Sequence, residues 1–285
     1  MQTLFKSEQG KKEIFALYDE KLSELEIEYT YKVVETHFGK TNVIITGDPS
    51  NPPIIVVHGS NGCAPIALET YSTLTEKFQV FAVDVLAQPN KSAETRLSMK
   101  NDGYGKWMNE VIAALALQNV TMAGFSFGGL VILKTLIHNE KNIKEVFLSA
   151  PAYVVNGNPL KALFKIFIPM KRFMKTKNQK YIEKFLAVAF TEKDEFALKF
   201  LPKVFLHFEM DFTPVPVIKK KEAALIKTPI TLIGAKDDLF FPGTKMISRA
   251  KKIFPSLKKT VLLPHSKHVQ NREDNILIGN LIMDK

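Results

Sequence analysis

A serine lies in a glycine-rich turn between an apolar run and a helical pattern. The turn reads Gly124-Phe125-Ser126-Phe127-Gly128-Gly129 and follows the apolar run Val120–Ala123. A strand-to-helix turn this sharp needs glycines around its central residue, because larger side chains would clash there. The turn raises the serine hydroxyl to a helix N-terminus, where free amides and the helix dipole favour developing negative charge. Ser126 is therefore the candidate nucleophile; the competing interpretation is a turn that only packs a helix on a strand.

A serine hydroxyl is a poor nucleophile unless a base, itself held by a third group, takes its proton. Two later strand ends supply candidates, GAKDD at 234–238 and PHSKH at 264–268. We predict His268 as the base and Asp237 as the acid. Asp238 stays open as the acid, although it could instead cap the turn before a proline. His265 stays open as the base, although it lies nearer the strand end and could face solvent.

The loop HGSNG at 58–62 follows the first strong apolar run and is the expected source of a second oxyanion donor. We assign the amides of Ser60 and Phe127 as the oxyanion pair, and His58 as a brace for the loop. Ordinary turn chemistry explains Ser60 and Asn61 equally well. Cys63, which follows directly, is either a small buried hydrophobe or a reactive thiol.

The elements that must position these residues are short apolar runs that alternate with helical stretches. A helix over 11–25 and a hairpin of Tyr29–Thr36 with Thr41–Thr46 come first. Uniformly apolar strands are buried on both faces, and alternation with helices predicts a mostly parallel sheet covered on both sides. The runs are Ile54–Val57, Val80–Val83, Val120–Ala123, Val146–Leu148, Ile230–Ile233 and Thr260–Leu263; the helices are 64–77, 104–117, 127–139, 243–254 and 272–283.

One long stretch, residues 152–227, interrupts this alternation. It looks helical and is rich in phenylalanine, and an unstructured loop of that length would be unusual. We predict an inserted helical lid within a single domain that spans 1–285. Its phenylalanines either line an apolar pocket or form the lid's own core. The candidate substrate contacts are Asn61, Phe125, Phe164 and Phe167.

The formal net charge of +10 is concentrated in the same stretch. Residues 152–227 hold 15 Lys/Arg and 7 Asp/Glu, a surplus of eight that leaves +2 for the rest of the chain. Basic and apolar residues interleave over Lys161–Lys184, a pattern that can dock on anionic lipid but is more often a solvated face. No recognised nucleic-acid-binding motif accompanies the charge, so nucleic acid is not an expected partner.

Length and composition are those of an ordinary globular protein, with 285 residues, 46% hydrophobic and 24% charged. The single cysteine excludes an internal disulfide. The N-terminal residues show no signal-peptide pattern and no run is apolar enough for a membrane span, so we expect a cytoplasmic location. A Cys/His ligand cluster and a phosphate-binding glycine loop are both missing from the sequence, so neither a metal nor an organic cofactor is expected.

Four motifs in register resemble the α/β-hydrolase superfamily, specifically its lidded, carboxylesterase-like bacterial members. They are HGSNG at 58–62, GFSFGG at 124–129, GAKDDLFFP at 234–242 and PHSKH at 264–268. The loop DVLAQPNKS at 84–92 resembles the family's Asp-x-x-Gly-x-Pro-Gly-x-Ser loop, with Ala87 and Asn90 in place of its glycines. Lys267 replaces the glycine usual before the catalytic histidine. Asp84 is a further alternative for the acid.

The resemblance implies an α/β-hydrolase fold and an acyl-enzyme mechanism on Ser126 without a cofactor. We expect hydrolysis of a carboxylic ester of a small or medium apolar substrate. The alternatives are the same triad used for acyl transfer, thioester cleavage or C–C bond cleavage, and a non-catalytic ligand-binding protein on this fold. The last would predict a broken triad or oxyanion loop. The sequence leaves the oligomeric state open.

Overall fold

The computed structural model describes residues 3–284, so the ends of the predicted domain span 1–285 lie outside the described residues. It contains eight strands in one sheet. The strands are β1 (Tyr29–Thr36), β2 (Gly39–Thr46), β3 (Pro53–Val57), β4 (Gln79–Val83), β5 (Val120–Phe125), β6 (Ile143–Ser149), β7 (Ile230–Ala235) and β8 (Leu257–Leu263).

The strands lie in the order β1-β2-β4-β3-β5-β6-β7-β8. β1 pairs antiparallel with β2, and β2 antiparallel with β4, whereas all later neighbours are parallel. The predicted hairpin is present, with Tyr29 opposite Thr46 and Thr36 opposite Gly39, and it extends the sheet at one edge. The prediction of a mostly parallel sheet in an α/β-hydrolase fold is confirmed.

Helices cover both faces of this sheet. They are α1 (Glu8–Glu24), α2 (Ala64–Thr70), α3 (Gly103–Ala114), α4 (Phe127–His138), α5 (Pro159–Ala162), α6 (Ile168–Thr176), α7 (Gln179–Ala189), α8 (Glu195–His207), α9 (Lys220–Ala223), α10 (Gly243–Ile253) and α11 (Arg272–Met283). A 3₁₀ turn (Ser72–Glu76) follows α2, so the predicted helix 64–77 is two elements. A π-helical turn (Leu163–Phe167) joins α5 to α6. Among residues 3–284, no helix is both long and apolar enough to cross a bilayer.

The uniform hydrophobicity of the central strands has a direct structural cause. Successive side chains of a strand point to opposite faces of the sheet. In β3, Ile55 and Val57 pack into one hydrophobic cluster, while Ile54 and Val56 pack into the other. Both faces are therefore dry, and every position of the strand must be apolar.

Helices α5 to α9 all lie between β6 and β7, within the stretch 152–227, which we call the insertion. Several of its phenylalanines form an interior: the ring of Phe205 contacts those of Phe173 and Phe185 edge-on. Phe173, Phe200 and Phe205 are buried. The exact bounds of the insertion as a unit, and its role as a lid, remain predictions.

The first helix, α1, attaches the insertion to the rest of the domain. Ser7 caps its N-terminus by accepting the amide of Gly10, and Ile14, Tyr18 and Leu22 are buried at helical spacing. On its outer side, Glu13 forms an ion pair with Lys203 of α8. The helix thus contacts both the insertion and the core beneath it.

Candidate active site

Ser126 occupies a strained backbone position between β5 and α4. Its φ of 53° and ψ of −114° lie outside the regions that side-chain-bearing residues ordinarily adopt. The strained residue is held on both sides: its amide donates to Ser149, and its carbonyl accepts the amides of Gly129 and Ala152. Such strain persists only where surrounding contacts enforce it, and it concentrates at functional sites.

The glycines of the turn are needed for close packing. A Cβ on Gly128 would lie 2.2 Å from the carbonyl oxygen of Val57, so helix α4 could not approach β3. A Cβ on Gly124 would lie 2.6 Å from Ile132 and 2.9 Å from the backbone of Gly128. The sequence pattern around Ser126 is thus explained by the turn that presents this hydroxyl.

Two hydrogen bonds connect Ser126, His268 and Asp238. The Nε2 atom of His268 lies 2.9 Å from the Oγ atom of Ser126, and its Nδ1 atom lies 2.8 Å from the Oδ2 atom of Asp238. Ser126, Asp238 and His268 are all buried. The structure brings together two of the predicted residues, Ser126 and His268, with the alternative acid in place of Asp237.

The sequence-based choice of Asp237 is therefore corrected. The Asp237 side chain is exposed, and its backbone amide donates to Ser266. Asp238 turns inward, and its Oδ1 atom accepts the amides of Phe240 and Phe241 at 2.7 and 3.0 Å. The capping role weighed against Asp238 is thus real, but a carboxylate has two oxygens and the other one binds His268. The alternative base, His265, is exposed.

Aromatic rings surround the imidazole of His268. Phe125, Phe240 and Phe241 have ring centroids 5.0, 4.7 and 5.5 Å from that of His268. Phe125 was among the predicted substrate contacts, whereas Phe240 and Phe241 were not, although both lie in the FFP segment that follows the acid. These rings limit the access of water to the histidine and give the site apolar walls.

Phe164 and Phe167 lie elsewhere. Both are exposed on the insertion, and the ring of Phe167 contacts that of Phe212. The structure does not bring them against Ser126 or His268, so their role as substrate contacts stays a prediction.

The backbone on either side of His268 is attached to the end of α7 by Thr191. The Thr191 hydroxyl accepts the amide of Lys267 at 3.0 Å and donates to the carbonyl of Val269 at 2.7 Å. The amide of Thr191 also donates to Val269, and the Lys267 ammonium donates to the carbonyl of Ala187. Lys267, which departs from the family pattern, is thus a second attachment to the insertion. Sequence reasoning missed Thr191, because no local pattern signals a contact across some 76 positions.

The predicted oxyanion loop passes directly beside the serine. A Cβ on Gly59 would lie 2.9 Å from the Phe125 ring and 3.3 Å from the Cβ atom of Ser126. Ser60 follows as an exposed residue. Phe127 is the first residue of α4, and amides in the first turn of a helix have no acceptor within that helix. Both predicted oxyanion donors therefore belong to backbone segments that adjoin Ser126.

His58 braces this loop. Its Nδ1 atom lies 2.7 Å from the carbonyl oxygen of Gly59, and its Nε2 atom accepts the amide of Val85 at 3.0 Å. Complete burial lowers the pKa of His58 to about 4, so the ring is neutral. With Nε2 accepting, the proton is on Nδ1 and donates to Gly59.

Asp84 does not contact His268 and instead binds the backbone just after the 58–62 loop. Its carboxylate accepts the amide of Ala64 at 2.7 Å, the side-chain amide of Asn42 at 2.9 Å and the hydroxyl of Tyr18 at 3.0 Å. Burial raises the pKa of Asp84 to about 6 although these hydrogen bonds favour the ionised form. Asp84 is accordingly part of the support of the loop, and not an alternative acid for His268.

The rest of the 84–92 loop supports the same segment. The side-chain oxygen of Gln88 accepts the amide of Asn61 at 2.7 Å. Asn61 has a positive φ of 57°, and Ala87, at a glycine position of the family loop, has a positive φ of 54°. Ala87 therefore adopts the left-handed backbone that glycine accommodates most readily, at the cost of local strain.

Cys63 is fully buried, and burial raises the pKa of its thiol well above the usual range. A buried, protonated thiol is an inert hydrophobic group, which favours the structural interpretation of this residue. Within residues 3–284, no group of three or more His, Cys, Asp or Glu residues is arranged to hold a metal ion.

Comparison with known proteins identifies relatives of this fold. The solved structure of naproxen esterase (carboxylesterase NP) from Bacillus subtilis superposes with a TM-score of 0.84 over 98% of each chain, at 20% identity. Carboxylesterase YbfK of Bacillus subtilis (strain 168) is 28% identical over 138 residues, which are 48% of this chain and 47% of the relative. A second carboxylesterase of that organism, nap, is 27% identical over 138 residues, 48% of this chain and 46% of its own. The chain spans about half the length of the curated relatives it matches.

The family model described as "alpha/beta hydrolase fold" matches residues 52–202, more than half of the chain. That match includes the loop at 58–62 and the turn around Ser126, and it ends within the insertion. The sheet order, the strained serine and the serine–histidine–aspartate hydrogen bonds described above agree with it. The chain belongs to the α/β-hydrolase family.

Proposed function

We propose that the protein is a serine carboxylesterase with Ser126 as nucleophile, His268 as general base and Asp238 as the residue that orients the histidine. The observation that carries this proposal is the pair of hydrogen bonds from Ser126 through His268 to Asp238, at 2.9 and 2.8 Å. Nucleophile, base and orienting acid within hydrogen-bond reach form the recognised geometry for acyl transfer through a covalent intermediate. The resemblance to carboxylesterases of Bacillus subtilis supports the choice of an ester.

The first half-reaction forms an acyl-enzyme. The Nε2 atom of His268 takes the hydroxyl proton while the Ser126 oxygen bonds to the ester carbonyl carbon. When the tetrahedral intermediate collapses, the C–O bond to the alcohol breaks and His268 returns the proton to the leaving oxygen. Asp238 stays ionised, keeps the Nδ1 proton in place and stabilises the imidazolium.

The second half-reaction releases the acid by the same route. Water takes the place of the alcohol, His268 removes one of its protons, and the oxygen of that water bonds to the acyl carbon. Collapse breaks the bond to Ser126, which recovers its proton from His268. The products are one carboxylic acid and one alcohol, with the enzyme unchanged.

The oxyanion formed in each half-reaction would be held by the amides of Ser60 and Phe127. The close approach of Gly59 to Ser126 and the position of Phe127 at the start of α4 support this assignment. His58 would act through the loop: its hydrogen bond to Gly59 fixes the peptide that carries the Ser60 amide. Donors fixed in advance are the ones that stabilise developing charge without reorganisation.

The walls of the site favour an apolar acyl or alkoxy group of small or medium size. The rings of Phe125 and Phe240 flank His268, so a substrate carbonyl at Ser126 would lie among aromatic surfaces. A thioester or a C–C bond could be cleaved by the same residues, and only the substrate separates those reactions. A non-catalytic role would call for a disrupted triad, and the geometry around His268 argues against it.

The test is hydrolysis of a chain-length series of p-nitrophenyl esters by the wild-type protein and Ser126→Ala. We expect turnover by the wild type, a length optimum set by the aromatic walls, and loss of turnover in the variant. A fluorophosphonate probe should label the wild type at Ser126 and leave the variant unlabelled. Absence of both turnover and labelling in a folded wild-type protein would refute a serine hydrolase.

A further inference from the structure

The segment from α5 to α6 carries an apolar stripe that faces outward. Leu160, Leu163, Phe164 and Phe167 recur at helical spacing, and each is between 36% and 65% exposed. The opposite face of the same segment is buried, with Ile166, Met170 and Phe173 at most 5% exposed. Met170 and Phe173 pack into the hydrophobic cluster that also covers one face of the sheet. The buried face therefore packs the segment onto the rest of the protein, and four large apolar side chains on its other face remain exposed to solvent.

Basic residues border this stripe, and the segment that carries it has no acidic residue of its own. Between residues 146 and 182 the sequence contains seven Lys or Arg and no Asp or Glu. All seven are exposed: Lys161, Lys165, Lys171, Arg172, Lys175, Lys177 and Lys180. Lys171 and Lys175 continue the line of Phe164 and Phe167 at helical spacing. A solvated segment would ordinarily mix both signs of charge, whereas this segment carries only positive charges around an apolar stripe.

The stripe begins beside the candidate active site. The amide of Gly157 donates to the carbonyl of Phe240 at 2.7 Å, and the Phe240 ring is the one nearest to His268. Leu160 follows three residues later, so its Cα is at most about 11 Å from that of Gly157. The first residue of the stripe therefore lies a short distance along the chain from a residue that is hydrogen-bonded to the aromatic wall of the site.

From this arrangement we propose that the α5–α6 face docks on a bilayer surface that contains anionic phospholipid. Large exposed apolar side chains enter the interface, while the surrounding lysines contact acidic headgroups. The proposal does not depend on the esterase reaction, because binding alone defines it. Its consequence for the site is that docking would bring the Gly157–Phe240 contact close to the membrane.

The experiment is co-sedimentation of the full chain with phosphatidylcholine vesicles prepared with and without phosphatidylglycerol. We expect binding that needs the anionic lipid and weakens as salt is raised. Each lysine near an anionic surface contributes roughly fivefold in affinity, so Lys165→Gln with Lys171→Gln should weaken binding roughly 25-fold. Removing the inserted ring with Phe164→Ser should weaken it by about tenfold or more.

Two variants on other faces serve as matched controls. Lys251→Gln with Lys252→Gln neutralises two exposed lysines of α10, and Leu277→Ser removes an exposed apolar side chain of α11. Both should bind vesicles like the wild type. Circular dichroism confirms folding of every variant, which is expected because all the altered side chains are on the surface.

Three outcomes would overturn the proposal. One is equal binding with and without phosphatidylglycerol, or none at all. Another is equal weakening by the α10 control, which would mean that only net charge matters. The third is single-stranded DNA that displaces vesicles and binds as tightly, with Phe164→Ser having no effect, which would identify a general polyanion surface.

Discussion

Asp237 and Asp238 are adjacent carboxylates that the structure places in opposite environments, and exchanging each for asparagine gives a matched pair of variants. Asp238 is buried with one oxygen on the amides of Phe240 and Phe241 and the other on His268. Asp237 is exposed. The substitution removes one negative charge at neighbouring positions, so differences between the variants report position alone.

The expected loss of activity in Asp238→Asn follows from the number of hydrogen-bond acceptor atoms in each side chain. Asparagine has a single oxygen, and if it keeps the two backbone amides its NH₂ group faces the Nδ1 atom of His268. That contact favours the tautomer with its proton on Nε2, which can no longer accept a proton from Ser126. A wrong tautomer in such a triad costs ~10⁴-fold in kcat, or about 5.5 kcal/mol. Asp237→Asn should stay within about twofold of the wild type, as expected for an exposed site.

The assay is kcat for a p-nitrophenyl ester at neutral pH, with the thermal unfolding midpoint of each variant measured beside it. The capping bonds survive in Asp238→Asn, so both variants should remain folded. If Asp238→Asn kept activity within about tenfold of the wild type, or if Asp237→Asn fell as far, the assignment of Asp238 as orienting residue would be wrong.

The remaining predictions concern the supports of the site. Thr191→Val removes both hydrogen bonds of the hydroxyl beside His268 and keeps the backbone bond to Val269. We expect kcat to fall roughly 10- to 100-fold with little change in KM, because small displacements of a catalytic group are costly. Thr191→Ser should recover most of the rate, and equal losses in the two variants would contradict a positioning role. For His58, whose pKa is held at about 4, the unfolded chain binds a proton that the folded one excludes, so stability falls as the pH drops from about 6.5 to 4. Asp84, whose pKa is raised to about 6, makes stability change with pH in the opposite direction. The folded chain holds a proton there that the unfolded chain releases, so stability is lost as the pH rises from about 4 to 6. In the wild type these two contributions to the pH dependence of stability oppose each other. A folded Asp84→Asn keeps only that of His58, so its free energy of unfolding should fall by about 1.4 kcal/mol more per pH unit than that of the wild type between about pH 6 and 4. Urea unfolding at both pH values checks this, and parallel profiles would count against it.

The parts of the fold that could be predicted from sequence are those with a local physical cause. Strands buried on both faces must be apolar throughout, and β3 shows why, with alternate residues in the two hydrophobic clusters. The turn at Ser126 could be found because its glycines are required by contacts within the same strand–turn–helix unit. The hairpin of β1 and β2 could likewise be predicted, because the turn that joins the two strands is visible in the sequence between them. Helix and strand ends differ by a few residues, as is usual where caps and frayed turns decide the boundary.

The choice between Asp237 and Asp238 could not be made from local sequence. Asp237 and Asp238 follow the end of β7 by two and three residues. In the structure the amide of Asp237 donates to Ser266, which belongs to another loop, and the side chain of Asp238 points inward. A capping role does not exclude Asp238 as the orienting acid, because capping and binding of His268 use different oxygens of one carboxylate. Thr191 was beyond reach for a similar reason, since its partners are distant in sequence.

The insertion is connected to the backbone around His268 and, through α1, to the support of the 58–62 loop. These connections bear on how it could act as a lid. At one end, Thr191 and Ala187 hold the backbone around His268. On another side, α8 is ion-paired to α1, and Tyr18 of α1 donates to Asp84, which supports the predicted oxyanion loop. Helices α7 and α8 are therefore connected to the framework of the candidate catalytic groups, α7 directly at the backbone around His268 and α8 indirectly through α1. The α5–α6 segment has no such attachment to these groups among the contacts described, and it carries the outward apolar stripe. A lid motion, which remains a prediction, would therefore disturb fewer of these contacts in α5–α6 than in α7 or α8.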